Sequence, residues 1–441
     1  MTTEKIVPQK SGFANLFGGA NLRRFGILFS LVAIILLFQW LTGGLTLSPG
    51  NLINLVNQYS YILILAIGMV MVIIAGHIDL SVGSVAAFTG IIVAISMNTW
   101  HLPWPLAIVL GLVIGVLIGA WHGFWVAYVG VPAFIVTLAG MLIFRGGNQF
   151  IGDAATVPVP QPFTIIGAGY IPDFGPFDFS AGTMILGILG ALWVIYNEWH
   201  VRRVQRKMDS PTSPLWVAVV KVVLLAGIIL YFSWLFATGR AGTSFPVSGI
   251  ILVALIILYS FITRNTIFGR HIYAVGGNKL AAELSGVNSR HVNFLVMMNM
   301  SILASLAGMI WVARSVASGP QDGLNWELDA IAAVFIGGAA VSGGIGTVIG
   351  SIVGGLVMAF LNNGLQLLGV GSDLVQIIKG LVLLFAVGID VWNKTQGRPS
   401  LIGFMFRGKK NENAAASYSE QPAVVPTSGT PESATPSDIV H

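Results

Sequence analysis

Cysteine is absent from this sequence, and that alone excludes disulfides, thiolate metal sites and cysteine nucleophiles. Charge is nearly as scarce. Only 9% of the 441 residues are Asp, Glu, Lys or Arg, where a soluble domain carries about 25%, too few to cover a water-facing surface. The seven histidines are scattered, with no His-x-x-x-His pair on a helix face, so neither a metal site nor the acid–base constellation of a membrane-embedded enzyme is visible. The net charge of +5 is spread over loops and gives no footprint for nucleic acid. Residues 151–180 contain no Lys or Arg at all.

What the sequence has instead is apolar length. Hydrophobic residues make up 55% of the chain and mean hydropathy is +0.84. The 54 glycines suit membrane bundles, where small residues let helix backbones approach closely. Apolar runs at 25–40, 58–75, 83–97, 105–128, 132–150, 181–199, 215–237, 246–263, 292–313, 328–341, 346–368 and 374–392 predict about 10–12 transmembrane helices in an all-α polytopic protein. Several runs are short or broken by glycine, as half-helices are. The first run follows Arg23 and Arg24 without a small-residue cleavage site, so it reads as a retained span with a basic flank, not as a signal peptide or a twin-arginine export signal.

Basic residues collect in four patches: Lys5 to Arg24, Arg202 to Lys221, Arg264 to Arg290, and Lys394 to Lys410. Alternating spans place all four on one side and 151–180 on the other. The positive-inside rule then predicts a multi-pass protein of a cytoplasmic membrane with both termini inside. The domain plan is a cytoplasmic lead at 1–21, a membrane domain at 22–394 with a cytoplasmic loop at 264–291, and a cytoplasmic tail at 395–441. That tail turns to Ala, Ser, Pro and Thr and lacks a core-forming pattern.

Several motifs stand out. Gly83-Ser84-Val85 and Gly346-Thr347-Val348 each open an apolar run after a Ser/Gly-rich break, which predicts a parallel internal repeat of two halves. Asp79, with Ser81 and Ser84, lies between two apolar runs, where a carboxylate is costly unless it faces protein or water. It reads either as a helix cap or as part of a translocation path or gate. Asn148, Gln149, Asn362, Asn363 and Gln366 are further path candidates, since sugar hydroxyls need amide donors and acceptors. Helix-to-helix hydrogen bonding explains the same residues. Gly111, Gly115, Gly119 and Gly123 form a small-residue ladder, and Ser342, Gly346, Gly350 and Gly354 another; both favour close packing within the chain. Trp121, Trp125 and Tyr128, with His122 beside them, read as an aromatic belt. Residues 403–409 have the spacing of a phosphate-binding loop, but Lys410 replaces the Ser or Thr that would hold Mg²⁺, and no strand–loop–helix setting surrounds them.

The stretch Ile78-Asp79-Leu80-Ser81-Val82-Gly83-Ser84 resembles the signature of the ribose, xylose and galactose permeases of bacterial ATP-binding-cassette importers. Three more blocks resemble the same family: 131–141, 268–287, and the Ser342-Gly343-Gly344-Ile345-Gly346-Thr347 turn. The likeness runs from about residue 22 to 392 and is strongest to the D-xylose and multiple-monosaccharide branch, although His77 stands where that family would have Gly or Glu. The resemblance implies a translocation subunit without an ATPase site. Its partners would be a separate ATPase, which carries ATP and Mg²⁺, an extracytoplasmic sugar-binding protein, and a second copy of the chain. This chain would bind no cofactor or metal itself. The resemblance also gives the loop at 273–287 a coupling helix that docks on the ATPase, with Gly276, Gly277, Asn278, Ala281, Ala282, Leu284, Ser285 and Gly286 in or beside it. Here Asn278 is the expected cap, Gly286 the expected stop, and Ala281, Ala282 and Leu284 the contact face. The alternative is an ion-gradient-driven secondary sugar transporter, which would need membrane-embedded carboxylates; Asp79, Glu327, Asp329 and Asp390 are the candidates.

Overall fold

The computed structural model describes residues 19–395, apart from 175, 209–213, 240 and 241. The lead before residue 19, the tail and the phosphate-loop-like stretch at 403–409 lie outside the described residues, as does the side chain of Asp390.

The described chain is helical almost throughout. Its helices are α1 (Gly19–Leu41), α2 (Pro49–Ile74), α3 (Val82–Asn98), α4 (Trp104–Phe124), α5 (Ala133–Ile151), α6 (Ala181–Lys207), α7 (Leu215–Ala237), α8 (Val247–Asn265), α9 (Ile267–Gly277), α10 (Lys279–Leu284), α11 (Ser289–Ser315), α12 (Trp326–Ile336), α13 (Val348–Leu367) and α14 (Ser372–Thr395). A π turn, Trp125–Val129, extends α4. Eight helices are long and apolar enough to cross a membrane, and two shorter apolar ones, Gly26–Leu41 and Val82–Asn98, join them. The chain is therefore a multi-pass membrane protein. The apolar run at 328–341 becomes the 11-residue α12 followed by a glycine-rich break. At about 1.5 Å per residue α12 is too short to span a bilayer, so it is a half-helix.

Helix ends follow local chemistry. Proline at the first turn starts α2, where its missing N–H is no loss. Gly76 stops it with φ +86, a conformation that side chains with a Cβ resist. α2 is buried along nearly its whole length and forms the axis of the bundle, with α11, α12 and α13 against it. α3 and α4 pack on the far side of α11. There the ladder Gly111, Gly115, Gly119 and Gly123 lies against Met309, Ser305, Met298 and Phe294, so the predicted intrachain packing is present. The hairpin of α6 and α7 sits at the periphery with most of its apolar side chains exposed.

At one end of the bundle, β1 (Val157–Pro158) pairs antiparallel with β2 (Ala317–Ser318), and Tyr170 bridges to Pro246 at the start of α8. At the opposite end lie the break after α2, the α9–α10 loop, and the break between α12 and α13. α6 starts at the first end, where Thr183 Oγ1 accepts from the Phe245 N–H. Its 27 residues then carry Arg202 to Lys207 toward the second end. The clusters Arg202–Lys207 and Arg264–Arg290 thus share one end, while 151–180 lies at the other.

Each break is followed by an apolar helix, α3 or α13, and the two breaks touch: the Gly344 N–H donates to the Ile74 carbonyl at 2.8 Å. The helix starts differ. Thr347 caps α13 by accepting from the Gly350 N–H at 3.0 Å, whereas Gly83-Ser84-Val85 lies inside α3.

Candidate functional site

The first candidate is the break at 75–81. Asp79 is 1% exposed. Its Oδ1 accepts from the Ser81 N–H at 2.8 Å and from the Ser81 hydroxyl at 2.6 Å, closing a two-residue turn. Ser81 is the N-cap residue of α3, yet its side chain accepts no helix N–H: its backbone is already helical, at φ −87 and ψ −11, and its hydroxyl donates to Asp79. The expected pair of caps is therefore one turn, with the carboxylate fixing the residue that begins the helix.

Several buried polar atoms in this half of the bundle are unpaired. Asp79 Oδ2, Ser84 Oγ, both ring nitrogens of His122 and Glu327 Oε2 have no hydrogen-bond partner among the described residues, and neither has Asn148 Oδ1, further along α5. His122, on α4, is fully buried, although Trp121, Trp125 and Tyr128 beside it face outward as a belt would. A side chain at Gly140 of α5 would collide with the His122 ring, and one at Gly83 would meet Gly323 and the Glu327 carboxylate at 2.8 Å. Leaving a buried polar group unpaired costs about 1–3 kcal/mol. Such groups mark places where water, a ligand or a moving segment completes the bonding. Beside them, burial pushes the His77 imidazole below its ordinary range, with Asn293 opposing the shift and the Lys279 charge adding a smaller push.

The amide candidates are not brought together. Asn148 is buried on α5 and donates to the carbonyls of Gly319 and Pro320 at 3.3 and 3.4 Å, while its neighbour Gln149 is exposed. Asn363 of α13 exchanges two bonds with Asn51 of α2, at 2.8 and 3.0 Å. Asn362 bonds along its own helix to the exposed Gln366 at 3.4 Å. Asn148 and Asn363 thus tie structural elements together.

The second candidate is the α9–α10 loop. Asn278 Oδ1 caps α10 by accepting from the Ala281 N–H at 3.0 Å, and Gly286 stops it at φ +85, with its N–H bonded to the Glu283 carbonyl at 2.9 Å. One expected contact residue is misplaced. Ala282 is 5% exposed and packs into the chain's own core, because a one-turn helix lying on the bundle must turn one face inward. The outward face is Leu280, Ala281 and Leu284, with the two leucines 67% and 83% exposed. Of the other loop residues, Gly277, Asn278, Ser285 and Gly286 are exposed, whereas Gly276 lies so close to the Ile74 carbonyl that no Cβ fits.

α9 connects this loop to both breaks. Gly276 sits on the end of α2, and the Tyr273 hydroxyl donates to the Gly346 carbonyl at 2.8 Å. One short helix, α9, thus runs from both breaks to α10.

Two features escaped the sequence reading. Tyr61, Trp311 and Trp326 form a mutual aromatic cluster with ring centroids 4.4–5.0 Å apart, and the Arg314 guanidinium lies over Trp311 at 5.4 Å. No spacing rule joins three residues on three helices. The other is an ion pair between Lys379 of α14 and Asp329 of α12, at 2.5 Å. A lysine inside the apolar run at 374–392 was the available signal.

Comparison with known proteins places this architecture. The xylose transport system permease protein XylH of Haemophilus influenzae is 41% identical over 375 residues, covering 85% of this chain and 97% of the relative. XylH of Escherichia coli K12 is also 41% identical, over 87% of this chain and 95% of the relative. The ribose import permease protein RbsC of the same strain is 34% identical over 83% of this chain and 94% of the relative. No solved structure matches. The family model described as branched-chain amino acid transport system / permease component matches residues 51–387, and the chain belongs to that family of transport-system permeases.

Proposed function

We propose that this chain is the translocation subunit of an ATP-binding-cassette importer for a monosaccharide, with a xylose-like pentose as the substrate. The observation that carries the reading is the α9–α10 loop. It offers two exposed leucines on a capped single turn and joins, through α9, the two breaks that interrupt the helical bundle. The xylose and ribose permeases that resemble the chain along nearly their whole length support the substrate class.

In this reading a separate ATPase subunit, which holds the ATP and Mg²⁺, receives Leu280 and Leu284 in a groove. An extracytoplasmic sugar-binding protein delivers sugar at the end that carries β1 and β2. A second copy of the chain completes the pore, and the chain itself binds no cofactor. The basic end is cytoplasmic, with both termini there, and the membrane is the bacterial inner membrane. Nucleotide closure draws the two docking loops together, moves α9, and re-angles the breaks beside Asp79 and Gly346. The unpaired polar atoms of Ser84 and Glu327 gain partners in that movement. Of the carboxylates that the ion-driven alternative could use, Asp329 is held by Lys379.

Replacing Leu280 and Leu284 together with Asp tests the docking. Both side chains point into solvent, so the chain should insert and fold normally. Co-purification with the ATPase and ATP-driven xylose uptake should each fall at least tenfold. Unchanged co-purification would show that the loop is not the docking site.

A further inference from the structure

The Asp329–Lys379 pair closes one side of a cavity of about 210 Å³ between α12, α13 and α14. Its polar lining is Asn325, Asp329, Gln376 and Lys379; Leu328, Ala332, Met358 and Leu383 supply the larger, apolar part of the surface. We propose that this cavity is a monosaccharide subsite on the transport path, where one sugar ring halts between delivery and release. The proposal rests on the importer reading above and gives that path a location.

The chemistry of the lining selects the ligand. A carboxylate accepts from hydroxyls, an ammonium donates to them, and two amides do both, so the four side chains match a ring of neighbouring hydroxyl groups. The ion pair has no net charge, which favours a neutral polar ligand over an anion or a cation. Alanine and methionine fit the C–H face that a sugar ring presents on its other side. The volume is below the roughly 300–1,000 Å³ of sites for drug-sized ligands and has room for a single ring. Both charged side chains are 20% exposed, so the pair is reachable as well as embedded. Ionisable residues inside a membrane domain are costly and mark substrate pathways.

The position also suits a site that opens and closes. One wall is the half-helix α12. Its far end, Gly337, crosses α13 at Gly350 so closely that neither accepts a side chain, and leads into the break met by α9. The docking loop, through α9, therefore meets the same break that ends one wall of the cavity.

Gly380 provides the test. It lines the cavity, and a Cβ there meets no described atom within 4 Å. Gly380→Phe adds a ring at the cavity lining from a Cβ position that is open, and removing a helix-interior glycine does not weaken the helix. Gly388, two turns along the same helix and outside the cavity lining, is equally open and serves as control. The full complex, with ATPase and sugar-binding protein, is reconstituted in liposomes and supplied with labelled D-xylose. Gly380→Phe should cut uptake at least tenfold, Gly380→Ala less than twofold, and Gly388→Phe less than twofold. The absence of cysteine allows a second, independent arm. In the same complex, saturating D-xylose should slow thiol labelling of Gly380→Cys at least threefold and leave Gly388→Cys unchanged. Wild-type uptake by Gly380→Phe, or equal labelling with and without xylose, would overturn the subsite. If Gly380→Phe fails to assemble, the labelling arm decides. Failure of the importer reading is distinct: the wild-type complex would then show no ATP-dependent monosaccharide uptake at all.

Discussion

α2 and α7 are both apolar helices long enough to cross a membrane, but they do opposite work. The most apolar window of α7 has mean hydropathy 2.5 and is 6% buried in the chain; that of α2 has mean hydropathy 1.8 and is 78% buried. The more hydrophobic helix is the one outside. In a bilayer the lipid tails are as apolar as leucine, so hydrophobicity drives insertion but does not choose neighbours. Small residues and polar groups choose them. α2 carries Asn51 paired to Asn363 and Gly68 packed on Met300 and Leu303, and it ends against Gly276 and Gly344. α7 has Gly227 with nothing within 4 Å, and its buried residues are few.

Paired glycine substitutions sharpen that contrast, and they carry the largest effect. Gly276→Val forces a side chain into the Ile74 carbonyl, where neither backbone can give way. Overpacking costs about 1–3 kcal/mol in general, and a backbone collision belongs at the top of that range, so the yield of monodisperse protein after detergent extraction should fall at least tenfold. Gly227→Val on α7 should leave the yield within twofold of wild type. Equal damage from both would break the distinction between core and periphery.

Asp79 offers a smaller, divided effect. Asp79→Asn keeps an oxygen that can accept from Ser81, so the turn should survive and thermal stability in detergent should hold. Asp79→Ala removes both accepted bonds and should cost about 1–3 kcal/mol. If the carboxylate charge belongs to the moving break, Asp79→Asn should still slow uptake at least tenfold. Uptake by Asp79→Asn at the wild-type rate would reduce Asp79 to a structural turn. The smallest effect is expected on the periphery. Glu198 of α6 bridges Lys221 of α7 at 2.8 Å and Arg202 at 3.2 Å. Glu198→Gln should change stability by no more than ~1 kcal/mol, as partly exposed ion pairs do, with uptake unaffected.

The same contrast explains what could be read from the sequence. Apolar runs gave the helices, since every backbone polar group in a membrane must be satisfied within its own segment. Asn278 and Gly286 bounded α10 correctly, because capping is local chemistry. Which face of α10 turns inward is not local: Ala282 is buried and Leu280 exposed only because α11 lies beneath. Likewise Asp329 and Lys379 are 50 residues apart, and only the packing of α14 on α12 makes them a pair. The aromatic cluster of Tyr61, Trp311 and Trp326 is hidden for the same reason.

The central claim is that ATP, acting through a partner bound at Leu280 and Leu284, moves a monosaccharide through this chain. Proteoliposomes containing the chain, its ATPase and its sugar-binding protein test it directly, by D-xylose uptake measured with ATP and no ion gradient, and with an ion gradient and no ATP. The account predicts uptake in the first condition and only background in the second. Uptake that persists without ATP and follows the ion gradient would contradict it.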